Sequence, residues 1–220
     1  MGAPGIPWTG RRPRLAPMFM RVALAVVGGY LLGGVDFAVI VARAKGIDIF
    51  SVGSGNPGTS NVLRTMGRGP AAIVLLGDLL KGVVAAAIGF FLSGAGSGPF
   101  DGMALATLAG LAAVAGHCYP ILHRFRGGKG VATGFGVLLW VQPVVAIGLG
   151  VVWALIVKVI RVASIGSLVV VVAAVPALMA LGVTGWPLVW VGGTLLLIVF
   201  RHRGNIQRMF SGGDRKVVEA

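Results

Sequence analysis

Cysteine occurs once in this 220-residue chain, at Cys118, and acidic side chains occur only six times. A single thiol excludes an intrachain disulfide and any zinc site built on several cysteines, and it leaves the redox compartment open. No carboxylate dyad, Asp-rich metal motif, HExxH helix, Cys–His pair or Ser-His-Asp order is recognisable, so covalent and metal-dependent hydrolysis lack their players. Charged residues of either sign make up 11% of the chain against 56% hydrophobic. That is too apolar for one soluble domain and long enough for several membrane spans. No internal repeat or low-complexity segment is apparent.

The charge that is present leans one way, with 19 Lys+Arg against 6 Asp+Glu and a net +13. Such an excess can signal nucleic acid. Here the cations sit in short gaps between apolar runs, where anionic headgroups or phosphorylated substrates fit better, and no nucleic-acid partner is expected.

Residues 1–18, with Arg11, Arg12 and Arg14 among Pro and Gly, read as a flexible N-terminal tail. The apolar run 19–42 is longer than a signal-peptide core and suits one span, so it is expected to stay as the first helix. Within it, Gly29 and Gly33 have the small-xxx-small spacing of close helix packing. Further helices are expected over 70–92 and 99–116. The run 131–157 would measure about 40 Å as one helix against roughly 30 Å of hydrocarbon, which leaves a tilted span or two short ones broken near Gln142-Pro143.

Charge parity favours the break. With helices over 164–181 and 186–200 the total becomes seven, and the gaps after the first, third, fifth and seventh share one face and carry most of the cations. Arg11, Arg12 and Arg14 fall on the other side, against the rule. The expected fold is therefore an all-α polytopic membrane protein of about seven transmembrane helices, with three polar motif loops on the cytoplasmic face. Residues 19–205 form its single membrane-embedded domain, and 206–220 form a cytoplasmic C-terminal tail.

Three polar stretches carry the chemistry. Gly116-His117-Cys118-Tyr119-Pro120 leads through Arg124-Phe125-Arg126-Gly127-Gly128-Lys129-Gly130 towards Gly136. Glycines let backbone N–H groups approach a ligand and the cations supply charge, a combination that suits phosphate. The plainer reading is a loop whose basic residues fix orientation. Residues 51–61, Ser-Val-Gly-Ser-Gly-Asn-Pro-Gly-Thr-Ser-Asn, then Arg64 and Arg68, describe an oxyanion cradle that is not a P-loop. The plainer reading there is a flexible turn. Arg201-His202-Arg203-Gly204-Asn205-Ile206-Gln207-Arg208 sets His202, Asn205 and Arg208 at helical spacing. Together the stretches imply more than one phosphate or a charged leaving group. Asp78 and Lys81, three apart on one helix, read as an ion pair, with a proton relay as the sharper alternative. A small-anion transporter is the competing function, disfavoured because such proteins pair repeats around midplane sites.

Residues 51–64, 116–136 and 201–214 closely resemble the three motifs of the bacterial acyl-phosphate:glycerol-3-phosphate acyltransferases, the PlsY family. The similarity extends to Asp78-Leu79-Leu80-Lys81-Gly82 and covers about residues 20 to 215. This resemblance implies a multi-pass enzyme of the bacterial inner membrane, facing the cytoplasm. It would move a fatty acyl group from acyl phosphate to the first hydroxyl of glycerol 3-phosphate, giving lysophosphatidic acid and phosphate. It would act as a monomer among membrane lipids, with no cofactor, metal, coenzyme A or carrier protein.

The resemblance places catalytic roles on Ser54, Arg64, Lys129, His202 and Asn205, and substrate contacts on Ser51, Gly53, Gly55, Asn56, Asn61, Gly127, Gly128, Ser167 and Arg203. Asn56, Asn61 and His117 either touch substrate or brace the loops. His117 is followed five positions on by Leu122 and His202 by Gln207, so neither opens the His-x4-Asp pattern of the other glycerolipid acyltransferases. Arg126 stands where this family commonly has Lys, Ser60 where it has Thr, and Asp214 where it has Glu. Cys118 is expected to be a packing residue.

Overall fold

The computed structural model describes residues 17–93, 98–211, 213, 214 and 216, and the tail cations Arg11, Arg12 and Arg14 lie outside these. Among the described residues the chain is helical, with no strand. The elements are α1 (Met18–Gly33), α2 (Phe37–Arg43), α3 (Thr59–Met66), α4 (Arg68–Leu92), α5 (Gly102–Cys118), α6 (Val131–Val141), α7 (Pro143–Ile160), α8 (Ala163–Ala180), α9 (Trp186–Arg201) and α10 (Arg203–Phe210). Counting α1 and α2 together as Met18–Arg43, five segments among the described residues are long and apolar enough to cross a membrane, while Val131–Val141 and Trp186–Arg201 are apolar but shorter.

Helix α5 is the hub because most of its side chains are small. It packs against α1, α4, α6 and α9, and its Ala106, Ala109, Ala113 and Gly110 are buried. Small residues let helix backbones approach closely, which is how apolar helices associate when lipid competes for their large side chains. The glycine spacing in α1 is used in this way: a Cβ on Gly29 would lie 2.5 Å from the Ala109 carbonyl oxygen, and one on Gly33 1.9 Å from that of Ala113. Gly82 and Gly136 play the same part between α4 and α6.

The lipid-facing side is legible on α7, where Val144, Ile147, Val151, Leu155 and Val159 stand exposed at helical spacing. An apolar stripe of this extent is stable in a bilayer rather than in water.

The structure corrects three sequence expectations. The run 19–42 is two helices, because the Asp36 carboxylate accepts the Val39 N–H at 3.1 Å and caps a new helix. Residues 59–66, read with the first polar loop, are helical, and Val62 anchors them to a cluster with Ala38, Val39, Ile49 and Val74. The C-terminal boundary at 205 falls inside α10. The long run 131–157 does divide at Gln142, with Pro143 opening α7, a position where its missing N–H costs nothing.

Candidate active site

One cavity of about 470 Å³ opens at the end of the bundle where the polar stretches meet. Ser54, Arg64, Lys129, His202 and Asn205 all line it, together with Asn56, Asn61 and Ser167. Four helices begin at its wall: α3 at Thr59, α6 at Val131, α8 at Ala163 and α10 beside Gly204. None of the four is capped by a side chain. The first N–H groups of a helix have no partner within it and carry a partial positive charge. Four such ends, added to Arg64 and Lys129, make a strongly anion-attracting pocket.

The first stretch is braced from within. The Asn61 side chain accepts the Ser54 N–H at 2.8 Å and donates to the Val52 carbonyl at 3.1 Å. Gly53, at φ 60°, is required there, since a Cβ on it would lie 2.3 Å from the Asn61 oxygen. Ser51, Gly53 and Gly55 do not reach the cavity lining, and the Ser51 hydroxyl donates instead to the Asp48 carbonyl.

Gly127 and Gly128 also stay out of the lining. Their carbonyls accept from Arg201, at 2.7 Å from Nη2 and 3.0 Å from Nε, and the Arg201 guanidinium lies over the Tyr119 ring. The Gly128 N–H in turn donates to the His117 carbonyl at 3.0 Å. These glycines are the close-packed base of the loop that carries Lys129. Arg203 points away, over the Phe200 ring.

Burial sets the protonation of the two central groups. Lys129 is pushed down to about 8, first by loss of solvent and then by the neighbouring guanidiniums, against the pull of Asp214. His202 is pushed down to about 4, again by burial first and then by Lys129. Its Nδ1 lies 2.8 Å from the Ile198 carbonyl, which can only accept, so Nδ1 carries the proton and Nε2 the lone pair.

Ser164 and Arg201 line the cavity without a site role assigned from sequence, and Asp78, His117 and Arg208, which sequence had singled out outside the substrate-contact set, line it too. The Asp214 carboxylate, whose role sequence left open, accepts from Ser164, from Asn205, and from Arg208 Nε at 2.9 Å. Ser167 is less available than expected, as its hydroxyl donates to the Ala163 carbonyl at 2.8 Å and accepts from Trp153 at 3.1 Å. Asp78 and Lys81 form the expected ion pair at 2.8 Å, and Lys81 extends it to His117 Nδ1 at 2.8 Å. Arg126, at the end of its loop, stacks on Phe50.

The fold and the cavity define a multi-pass membrane protein with a cavity rich in cations and helix N-termini sunk into one end of a helical bundle. The chain belongs to the glycerol-3-phosphate acyltransferase family, which matches it over residues 23–212. A glycerol-3-phosphate acyltransferase of Rubrobacter xylanophilus is 42% identical over 200 residues, covering 90% of this chain and 96% of that one. One of Halalkalibacterium halodurans is also 42% identical, over 88% and 94%. Among solved structures, the glycerol 3-phosphate form of PlsY (YgiH), an integral membrane glycerol 3-phosphate acyltransferase, superposes with a TM-score of 0.81 at 36% identity, covering 89% of this chain and 94% of that one. Its lysophosphatidic acid form gives 0.80 over the same shares.

Proposed function

We propose that this protein transfers a fatty acyl group from an acyl phosphate to the first hydroxyl of glycerol 3-phosphate, releasing lysophosphatidic acid and inorganic phosphate. The reading rests on the four uncapped helix N-termini that surround Arg64 and Lys129, an arrangement suited to two phosphate groups. The solved forms of the related PlsY carry glycerol 3-phosphate and lysophosphatidic acid, which agrees with it. The active site faces the cytoplasm of a bacterial inner membrane, on the side that gathers the basic loops. The working unit of this reading is a monomer.

An acyl phosphate is already activated, so holding and charge stabilisation supply most of the catalysis. Arg64 and Lys129 neutralise the phosphates, while Ser54 and Asn205 donate hydrogen bonds to them. The hydroxyl oxygen attacks the carbonyl carbon, and the carbon–oxygen bond to the departing phosphate breaks with its electron pair. The hydroxyl proton passes to that phosphate. That phosphate gains basicity as its bond to carbon breaks, whereas burial holds His202 down at about 4, a weak base at neutral pH. His202 Nε2 instead accepts a hydrogen bond that orients a reactant. The remaining contacts, through Asn56, Asn61 and Ser167, shape the pocket wall, and no metal or coenzyme takes part.

The purified protein in detergent, given palmitoyl phosphate and glycerol 3-phosphate without metal, coenzyme A or carrier protein, is expected to form lysophosphatidic acid with one phosphate released per product. Activity with palmitoyl-coenzyme A but not with palmitoyl phosphate would reverse the choice of donor. No product from either, in a folded sample, would remove the reading.

A further inference from the structure

We propose that His117 is a further catalytic residue, presenting a neutral Nε2–H into the cavity as the hydrogen-bond donor to the acyl carbonyl oxygen while negative charge builds on it. The inference rests on the acyl-transfer reading above. It starts from the C-terminal end of α5, where His117 is 6% exposed and forms part of the cavity wall.

The protonation of the ring is set by its neighbour. Lys81 Nζ lies 2.8 Å from His117 Nδ1, 2.8 Å from Asp78 Oδ1 and 2.9 Å from the Val35 carbonyl oxygen. An ammonium has three N–H donors and no acceptor, so it donates to Nδ1 and to the Val35 carbonyl, while Asp78 Oδ1 is held as an ion pair without an aligned hydrogen bond. Nδ1 therefore accepts, and the ring proton sits on Nε2. Asp78 is the competing partner for Nδ1, but at 3.5 Å it is farther than Lys81. Asp36, the other carboxylate in this region, spends one oxygen capping α2. The Val35 carbonyl is available to Lys81 because the chain breaks between α1 and α2, so the interruption by Asp36 has a use at the site.

Nε2 sits against the backbone that leads to Lys129. A Cβ added to Gly128 would fall 2.1 Å from His117 Nε2 and 2.8 Å from the Pro57 carbonyl oxygen. The nitrogen thus lies between the first and second polar stretches, one residue from Lys129. No hydrogen bond to another described residue engages it. In an acyl phosphate a single oxygen separates the carbonyl carbon from phosphorus, and the proposal seats that carbonyl at Nε2 while the phosphate is held at Lys129, both residues lining the one cavity.

As the hydroxyl oxygen bonds to the carbonyl carbon, the carbonyl π pair moves onto its oxygen, which the Nε2–H then binds. The pair returns as the bond to phosphate breaks, and the proton on Nε2 never leaves. A neutral donor suits this task, because it bonds weakly to the ground-state carbonyl and strongly to the oxyanion, whereas an imidazolium would pair with either phosphate.

The test compares wild type, His117→Phe and His117→Gln, full length and in detergent, with palmitoyl phosphate and glycerol 3-phosphate. His117→Phe is expected to lower kcat by about 10²–10³-fold, with the glycerol 3-phosphate KM within a few-fold of wild type. His117→Gln, which retains an N–H donor, is expected to recover at least about tenfold of that loss. Unchanged kcat in the Phe variant would overturn the proposal. So would a rise in KM alone, the mark of a residue that only props up Gly128. Nitrogen-15 spectra of histidine-labelled wild type, with His117→Gln to assign the signal, keep the proposal testable if the Phe variant does not fold. The expected tautomer has a proton on Nε2 and none on Nδ1, and a protonated Nδ1 would overturn it. Wild type that makes no lysophosphatidic acid would defeat the acyl-transfer reading instead, and the tautomer would still be measured.

Discussion

Arg201 donates to the carbonyl of Gly128 across 73 residues of sequence, at 3.0 Å, and its second nitrogen reaches Gly127 at 2.7 Å. This clamp ties the end of α9 to the loop that presents Lys129. Lysine can supply the charge but not two parallel donors in a plane. Arg201→Lys is therefore expected to lower kcat/KM for glycerol 3-phosphate by about 10- to 100-fold, equivalent to roughly 1.4–2.7 kcal/mol. Steady-state kinetics on folded protein decides, and a wild-type value would show that the clamp is dispensable.

Lys129 must be protonated to hold a phosphate, and burial has brought it down to about 8. The free enzyme loses that charge as pH rises through this value, so kcat/KM should fall above about pH 8. Bound phosphate favours the charged form, so kcat should hold to higher pH than kcat/KM does. A pH profile of both parameters, with Lys129→Ala as the inactive reference, checks the order of the two inflections. Coincident inflections would mean that the substrate phosphate does not sit beside this ammonium.

Gly33 and Gly28 occupy the same helix with opposite prospects. A Cβ on Gly33 meets the Ala113 backbone at 1.9 Å, while one on Gly28 meets nothing within 4 Å. Gly33→Ala should push α1 off α5 and cost about 1–3 kcal/mol. Gly28→Ala should be neutral or stabilise by up to about 1 kcal/mol through helix propensity. Thermal unfolding in the same detergent compares them, and equal midpoints would contradict the packing described.

Cys118 is fully buried beside Val114, Val171 and Ile198. Cys118→Ala is expected to cost about 1 kcal/mol of stability and to leave activity within about twofold of wild type. An inactive, folded Cys118→Ala protein would assign the thiol a chemical role.

Much of this was readable from the chain, for identifiable reasons. The Gly29 and Gly33 spacing reports close packing because only backbone contact forbids a Cβ. The break at Gln142-Pro143 was legible from charge parity, and proline at the start of α7 fits it physically. Asp36 was hidden because one carboxylate barely changes the average hydropathy of a long apolar run, although it is enough to cap a helix. Arg64 was placed in a loop although it sits on α3, whose serine- and glycine-rich approach masks its short periodicity. Direction was the other thing sequence could not supply. Gly127 and Gly128 face Arg201 and His117, and Arg203 turns outward, while its neighbour Arg201 turns in.

Three sequence-distant stretches line one cavity, which the proposed function makes a phosphate-binding site. The most direct measurement is kcat/KM for acyl transfer in Arg64→Ala, Lys129→Ala and Asn205→Ala, one variant from each stretch, assayed side by side on protein shown to be folded. Each is expected to lose at least about 100-fold, since each removes a group from the same pocket. If any one of the three retains wild-type kcat/KM, its stretch does not belong to the site and the convergence described here fails.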